Sequence, residues 1–555
     1  MKLNKLLGTT LLLGAVYLTT SCDGFFDVAP KDSLSPATFW KTESDAQQAA
    51  TACYNIWVEN LRNGSTVFYQ DVMSDIAYNY TKTANFAWAA IGSMNNSNAV
   101  DWFKYTTITR CNFFLENIDN VPFANEAVKR DLIAQIRTIR AYYYFRHCFW
   151  YGGVPLITQT FQTAEEAQLP RNSEAEVQKF VLDELAKAIP DLYDKPSERG
   201  RIAKGTALAI KMRAELYWGD YAAAREDARK IVALNQYELD PNFIEMFSLA
   251  GQGSKEIIYA YQTLKTTAKY GDAIRMFNNA DGGWATWVPT TSFVDMFEMN
   301  NGLMPEEPGS GYDPVHPYAN RDPRLYLEIV YPGREWTNMS GVTRIFNTVD
   351  KTLPDGKANA DYYLAADNAS KTGIIFRKYL EPMSQYAPSL SDTQICPIIF
   401  RYAEVLLTIA ECDVELNDNL TEALDLIDQL RQRGGQIVVD RSKYNTQEKI
   451  RELVRRERTI ELANEGFRRP DIVRWKDANG QLVAKSVMKP IYRMIGTIDY
   501  NEPDPTRRFV QTLPTPENEG ARYIEDRSFQ DHQRYLPLRQ SELDKNPNLT
   551  QTPGY

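Results

Sequence analysis

The apolar positions of residues 445–476 (NTQEKIRELVRRERTIELANEGFRRPDIVRWK) predict one long helix. Asn445 followed by Glu448 has the spacing of a capping box, which marks a helix start. Gly466 predicts a sharp stop, because glycine favours helix ends. Pro470 is expected to prevent an early restart, because proline lacks the amide hydrogen that a helix interior needs. The apolar face recurs at helical spacing and comprises Ile450, Leu453, Val454 and Ile460.

The same segment carries polar groups on its apolar face. Glu457 and Asn464 fall on this stripe, and a buried carboxylate is tolerated only when it is paired. The segment therefore predicts a buried ion-pair network, and a structural role for Glu457 and Glu461 is favoured over a catalytic one. Partners are abundant nearby: Arg455, Arg456, Arg458, Arg468, Arg469 and Arg474.

Two segments have the pattern of tetratricopeptide-like helix pairs. In residues 203–234, Gly219 to Tyr221 predicts the turn, and Ala224 and Ala228 allow the two helices to approach closely. Residues 401–435 repeat the pattern, with a turn at 417–419. Because such stacks need more than two units, we expect the helical segments at 36–60 and 101–151 to supply others. A further helix is predicted at 174–189.

Residues 240–395 interrupt the helical pattern. They are rich in Gly, Pro, Asn and Asp, with short β-like runs at 256–262, 327–333 and 373–380. A loop-rich region of this length within one domain is usually functional. Residues 65–100 are polar and aromatic with weak periodicity, and predict loop with short elements.

Composition narrows the class of partner. The chain has 555 residues, 43% of them hydrophobic and 24% charged, with a net charge of −10. This is ordinary globular composition, with enough length for a large core. An acidic chain without a separate basic run argues against nucleic acid as a partner.

The first residues predict a targeting signal. Lys2 and Lys5 precede an apolar run, Leu6 to Leu18, that is shorter than the ~20 residues needed to span a bilayer. Small residues then lead to Cys22, as in a loose bacterial lipobox. We expect a signal peptide at 1–21, lipid on Cys22 and a tether at 22–35, so that the protein is anchored to a membrane without crossing it. The alternative is an ordinary secretory signal that happens to contain a cysteine.

The remaining cysteines predict neither a metal site nor a redox site. Their number is odd, their spacings are wide, and no CxxC pair occurs. Buried free thiols are the favoured state, although an extracellular setting would also allow one disulfide. No cofactor is expected. The residues are Cys53, Cys111, Cys148, Cys396 and Cys412.

No sequence motif marks a catalytic site. The three histidines, His147, His316 and His532, form no HExxH pattern, and no GxSxG elbow or phosphate-binding loop is present. A pair of carboxylates suffices for glycoside hydrolysis, and that possibility is the hardest to exclude in a chain with 72 acids. We predict no catalytic residue.

Aromatic residues favour a binding function. Sugars present apolar C–H faces and hydroxyl edges, which suit exposed rings beside Asp, Asn, Gln and Arg. Trp150, Trp475 and other tryptophans in apolar helical runs are expected in the core. Those in polar, Gly-rich or Asn-rich surroundings are the ligand-facing candidates: Trp88, Trp284, Trp287 and Trp336.

Several segments resemble the SusD/RagB family, whose members are surface lipoproteins of Bacteroidetes that capture nutrients for a TonB-dependent transporter. RRERTIELANEGFRRPDIVRW is similar to the signature helix of that family, and LPLRQSELDKNPNLTQTPGY to its closing motif. RAYYYFRHCFWYGGVPLIT and RDPRL are further matches. The resemblance extends over almost the whole mature chain.

The resemblance implies a mainly α fold with four stacked helix pairs, a long loop-rich region and small β elements. It implies a single SusD-like domain at 36–555, with the helix-pair scaffold mainly at 36–239 and 397–476 and the ligand region at 240–396. It also implies that the C-terminal tail packs onto the body. Arg321 and Arg324 are expected to brace the fold.

The family holds its glycan between the early loop and the middle region, so the implied site is assigned by region. The partners implied are a glycan and a SusC-like TonB-dependent transporter at the outer membrane, with the protein facing the cell exterior. The alternatives are a peptide-binding member of the family, a surface glycoside hydrolase, or an adhesin or assembly scaffold. The candidate ligand residues are Asp75, Tyr78, Asn79, Trp88, Asn95, Trp284, Trp287, Tyr331 and Trp336.

Overall fold

The computed structural model describes residues 39–62, 68–81 and 85–555. The predicted signal peptide, the lipidation of Cys22 and the tether at 22–35 lie outside the described residues. The described chain is mainly helical with small sheets, which confirms the predicted fold class. No helix in these ranges combines the length and the apolar character that crossing a membrane requires.

The longer helices form consecutive pairs. α1 packs on α2, α3 on α4, α5 on α6 and α7 on α8, and α6 also packs on α7, which joins the two units recognised in the sequence. The prediction had not assigned α4 to a pair, yet it completes the second one. The helices are α1 (Glu43–Arg62), α2 (Thr106–Asn117), α3 (Glu126–Tyr151), α4 (Glu174–Ala188), α5 (Lys204–Trp218), α6 (Tyr221–Ala233), α7 (Tyr402–Glu415), α8 (Leu420–Arg433) and α9 (Gln447–Glu461).

Shorter elements connect these helices. Short α-helices lie at Asn85–Ala90, Thr291–Val294, Pro323–Glu328, Arg468–Ile472, Ala484–Val487, Glu519–Arg522 and Gln540–Lys545. Single 3₁₀ turns include Phe68–Met73, Asp272–Arg275 and Asn279–Asp281.

The strands form separate antiparallel two-stranded sheets, paired as β1–β3, β2–β8, β4–β7, β5–β6, β9–β12 and β10–β11. The three predicted β-like runs contain β2, β4 and β7, which are shorter than the runs. The bounds are β1 Ala77–Tyr78, β2 Ile257–Ala260, β3 Val288–Pro289, β4 Ile329–Val330, β5 Glu335–Thr337, β6 Thr343–Ile345, β7 Ile375–Phe376, β8 Ile398–Arg401, β9 Ile491–Tyr492, β10 Gly496–Ile498, β11 Phe509–Gln511 and β12 Tyr523–Glu525.

The ends of α9 differ from the prediction. Thr446, not Asn445, is the N-cap, and its side chain accepts the amide hydrogen of Lys449. The helix ends at Glu461, and Asn464 takes a left-handed conformation with φ 61°. A short helix then restarts at Arg468 and includes Pro470. The expectation that Pro470 prevents a restart was wrong, because a proline in the first turn occupies a position whose N–H has no helical partner.

A buried ion-pair network lies along α9, as predicted, but the partners of Glu457 and Glu461 are not the nearby arginines named from the sequence. Glu457 accepts hydrogen bonds from Arg324 and, at 2.6 Å, from Arg431 Nη1. Glu461 accepts from Arg433 and, at 2.6 Å, from Arg401. All six side chains are buried or nearly so. Because Arg324 lies in the loop-rich region, these bonds tie α9 to that region.

Two apolar cores flank this network. One lies among the helices and includes Trp40 and Trp150, and the other lies in the loop-rich region and includes Trp287 and Trp336. The C-terminal tail packs onto the helical side, where the Leu536 amide donates to the carbonyl of Trp150 at 2.7 Å, as predicted. The domain boundaries stay a prediction.

Candidate functional site

A short sheet brings together the two regions that the sequence assigned to the ligand. β1 lies within the early loop (residues 70–96), and β3 lies in the middle region (residues 240–396). Ala77 pairs with Pro289, and Tyr78 pairs with Val288. Thr290 continues the connection, because its amide donates to the carbonyl of Ile76 at 2.9 Å. Residues just after β1 and just before β3 therefore share one part of the surface.

Trp284 is the exposed ring in this area. It follows the 3₁₀ turn Asn279–Asp281, and 39% of its surface is accessible. Its amide donates to the carbonyl of Ile274 at 2.7 Å, which fixes the backbone. The guanidinium of Arg275 lies 5.2 Å from the ring centroid, in a cation–π arrangement. The ring is thus held in place while a large part of it remains open to solvent.

Tyr80 supplies a second ring to the same surface. Its hydroxyl donates to Asn368 Oδ1 at 3.0 Å, and the Lys371 ammonium lies 5.9 Å from its ring centroid. Partial burial and the charge of Asp367 raise the pKa of Tyr80, and the positive charge of Arg275 acts against them. Arg275 therefore acts on both rings. We call the surface formed by Tyr80, Arg275, Trp284, Asn368 and Lys371 the Trp284 ledge.

The ledge combines the groups that carbohydrate recognition uses. Two aromatic rings offer faces for sugar C–H groups, and Asn368, Arg275 and Lys371 offer polar groups for hydroxyls. Each of the two cationic side chains is held in place by a polar contact of its own. Arg275 pairs with Asp272 at 3.1 Å, and Lys371 Nζ donates to the carbonyl of Ala366 at 2.6 Å. Ordered polar groups beside a held ring favour binding of a polar ligand with apolar faces.

Three of the predicted rings are buried in the second core. Trp287 and Trp336 are 0% and 1% exposed, and Tyr331 is stacked on Tyr318 with ring centroids 4.6 Å apart. Trp336 Nε1 donates to Asp281 at 2.7 Å, so its polar atom is satisfied inside the protein. A ring face covered by protein is not available to a sugar. These three residues are therefore core residues here, and we exclude them from the ledge.

Most early-loop candidates also have internal roles. Asp75 forms an ion pair with Arg468 at 2.8 Å, and Asn79 Oδ1 accepts from the amide of Thr81 at 2.7 Å. Both are buried, as is Tyr78. Their side chains support the β1 end of the ledge from beneath.

The other two candidates do not join the ledge through any contact in the described chain. Trp88 is partly buried against the helical core. Asn95 is exposed, but its Oδ1 caps its own turn by accepting from Ser97 at 2.9 Å.

Sequence reasoning missed four of the five ledge residues. Tyr80 lies two positions after Tyr78 and was within the segment singled out, so its position was available as a signal. Arg275, Asn368 and Lys371 come from parts of the loop-rich region without a periodic pattern. Only the fold places Arg275 over Trp284, and Asn368 and Lys371 against Tyr80.

The histidines and cysteines lie in structural settings. His147 is stacked on Phe103, and burial, with the nearby charge of Arg146, lowers its pKa to about 3. The cysteines named above are free and buried, as favoured by the sequence. Within the described ranges, no group of three or more His, Cys, Asp or Glu side chains could hold a metal ion.

The chain is similar to known proteins both in sequence and in fold. A SusD-like protein of Formosa agariphila is 25% identical over 498 residues, which cover 85% of this chain and 91% of that protein. A SusD-like carbohydrate-binding protein from Bacteroides fragilis is 28% identical with a TM-score of 0.77, covering 92% of this chain and 100% of that structure. Another SusD-like protein from the same species is 25% identical with a TM-score of 0.76, covering 95% and 100%.

The family profile gives the most direct assignment. The profile of the SusD family matches residues 247–555, which is more than half of the chain and includes most of the ledge, α9 and the C-terminal tail. The resemblance noted in the signature helix and the closing motif agrees with this match. The chain therefore belongs to the SusD family.

Proposed function

We propose that this protein binds an oligosaccharide or polysaccharide on the Trp284 ledge and passes it to a SusC-like TonB-dependent transporter, without chemistry of its own. The observation that carries this proposal is the ring of Trp284, which is held by its backbone and by Arg275 yet stays 39% exposed. A fixed, exposed indole ring flanked by polar side chains offers a stacking face for the C–H groups of a sugar.

Other observations support a glycan as the ligand. A second ring, Tyr80, follows β1 and donates its hydroxyl to the side chain of Asn368. One structural relative is described as a carbohydrate-binding protein. In this proposal the protein is attached to the outer membrane through lipid on Cys22 and faces the cell exterior, where the transporter would take up the captured sugar.

Calorimetric titration against a panel of plant, microbial and host polysaccharides tests the ligand class. We expect saturable heat with at least one glycan. Trp284→Ala should weaken that binding roughly tenfold or more, since an exposed aromatic anchor is a typical hot spot. Tyr523→Ala is the matched control, because Tyr523 is also 39% exposed but lies outside the ledge.

The same mixtures distinguish the alternatives. Heat with peptides and none with glycans would favour the peptide-binding reading. New reducing ends would contradict a purely binding role and would direct attention to a carboxylate pair. Equal affinity in wild type and Trp284→Ala would place the site elsewhere. Purification of the protein from its native membrane, with mass spectrometry of what accompanies it, tests the transporter partner.

A further inference from the structure

A large aromatic groove is lined by the first described residues, by residues 103–114 and by the C-terminal Glu542 and Lys545, and shares no residue with the ledge. It has a volume of about 1090 Å³ and is bordered by α1, by the start of α2 and by the loop after α3. Its aromatic lining residues are Phe39, Trp40, Phe103, Tyr105, Phe113 and Phe161. None of these takes part in the proposed glycan site.

The floor of the groove has both apolar surface and an unmet hydrogen-bond donor. Trp40 is buried, and its ring lies 6.0 Å from that of Phe113 and 5.7 Å from that of Phe114. The Trp40 indole N–H finds no hydrogen-bond partner among the described residues. Phe113 is 37% exposed in the groove. A buried donor without an acceptor is costly, and an extended peptide would offer both carbonyl acceptors and apolar side chains.

The chain itself reaches this groove. Phe39, the first described residue, lines it, and the segment 22–35 (CDGFFDVAPKDSLS) comes shortly before. This segment contains Phe25, Phe26 and Val28. The thirteen residues from Phe26 to Phe39 could span ~43 Å when extended, which is ample for the segment to turn back onto the groove.

Charge is complementary as well. The groove is lined by Lys104 and Lys545, which pair with Asp101 and Glu542, and by Arg110, which is exposed and forms no ion pair with a carboxylate of the described residues. The segment 22–35 carries Asp23, Asp27 and Asp32 against the single Lys31. An acidic segment with two adjacent phenylalanines thus matches an aromatic groove with an unpaired cation at its edge.

We propose that residues 22–35 dock into the groove, with Phe25 and Phe26 on the aromatic floor and a backbone carbonyl accepting the Trp40 indole N–H. The segment would then be a fixed strap along α1 and α2. If Cys22 carries lipid, as in the proposed function, the docked segment would hold the lipid anchor at this end of the helices. It would then set the orientation of the ledge relative to the membrane. The docking itself does not depend on glycan binding.

Photo-crosslinking of the mature chain tests the docking directly. With p-benzoyl-phenylalanine at position 26, irradiation of the protein at low concentration in detergent should give intramolecular crosslinks. Mass spectrometry should map these to peptides containing Phe113 or Phe161. Crosslinks to other parts of the surface, or only between two chains, would overturn the proposal.

Protease kinetics supply a second readout. A lysine-specific protease cleaves after Lys31, and a docked strap protects that bond, since cleavage needs local opening. We expect Phe26→Ser or Phe113→Ser to speed the cleavage about tenfold, and the double variant to add little further, because both remove the same contact. Val342→Ser, at a residue 59% exposed elsewhere, should leave the rate unchanged. Equal rates in all variants, or additive effects, would contradict the docking.

Discussion

The helical scaffold and the loop-rich region bury comparable aromatic cores, but they satisfy their backbones in different ways. In the scaffold, helices of 12 to 26 residues pair most N–H and C=O groups internally. In the loop-rich region the strands are two to four residues long, and side chains take over. Arg321, for example, donates to the carbonyls of Pro317, Val294 and Phe297 at 2.8–2.9 Å. An irregular region of this size therefore depends on buried polar side chains.

The two regions meet at a charged seam. α9 and α8 contribute Glu457, Glu461 and Arg431, and the loop-rich region contributes Arg324 and Lys378. Lys378 Nζ donates to the carbonyls of Glu461 and Ala463 at 2.8 and 2.9 Å, just where α9 ends. The seam is buried and densely hydrogen-bonded, so substitutions in it should destabilise the protein more than substitutions of exposed ion pairs.

The largest effect is expected from Glu457→Ala. The substitution removes the buried carboxylate that Arg324 and Arg431 share, although Arg324 keeps Asp322 and Arg431 keeps Glu298. Breaking a buried pair typically costs about 3–5 kcal/mol, and the remaining partners place the expected loss near the lower end of that range. Chemical denaturation followed by circular dichroism should show a clearly lower midpoint. A wild-type midpoint would mean that water or rearrangement relieves the two arginines.

Acidification should weaken the same seam. Burial acts to raise the pKa of Glu461, but the charges of Arg433, Arg401 and Lys378 outweigh it and lower the pKa to about 2. The folded pKa lies below the unfolded value, so the stabilisation is present above about pH 4.5 and is lost as the pH falls toward 2. At neutral pH it amounts to roughly 3 kcal/mol. The stability difference between wild type and Glu461→Gln should therefore shrink as the pH is lowered.

Asp71 provides a control, because its contribution to folding stability should change with pH in the opposite direction. Burial raises its pKa to about 7, against the backbone N–H groups of Gly466 and Arg468 that donate to it. Its folded pKa lies above the unfolded value, so its protonated form favours folding at low pH, and this contribution falls as the pH rises from about 4 to 7. Unfolding midpoints measured for Asp71→Asn should lack that slope.

Within the loop-rich region, Trp336→Phe should destabilise by about 2 kcal/mol. The change removes ring volume from the second core and leaves Asp281 without the Nε1–H that donates at 2.7 Å, although Arg344 still pairs with that carboxylate. Thermal unfolding measures the loss, and glycan affinity should be unchanged. Reduced affinity with normal stability would instead place Trp336 at the ligand.

The helical scaffold was predicted well because the sequence signals for its helices lie close together along the chain. The stripe on α9, the alanines that allow α5 and α6 to meet, and the charges near Glu457 lie within windows of a few turns. Ala224 and Ala228 are fully buried, and Glu457 is buried and paired, but its partners Arg324 and Arg431 lie outside the segment that the sequence indicated. Helix periodicity and the cost of a buried charge were enough for these predictions.

The ledge was harder to predict, because contacts between residues distant in the sequence decide which rings are exposed. Trp284 and Trp336 both lie in polar surroundings in the sequence, yet one is exposed and the other buried. The difference depends on Asp281, which lies 55 residues before Trp336 and satisfies its indole N–H. Neither hydrophobic pattern nor composition encodes that contact. Family resemblance pointed to the early loop and the middle region, and only the fold separates exposed rings from core rings within them.

The smallest effect is expected at an ion pair outside the seam. Glu422 at the start of α8 pairs with Arg229 of α6 at 2.7 Å, but the two side chains are 39% and 47% exposed. Solvent screens such a pair, and its contribution is typically less than about 1 kcal/mol. Glu422→Gln should therefore shift the denaturation midpoint only slightly, and still less in high salt. It is the matched control for Glu457→Ala, because both remove one carboxylate from an arginine. A loss as large as that of Glu457→Ala would show that burial is not what distinguishes the seam, and that the contact between α6 and α8 carries comparable stability.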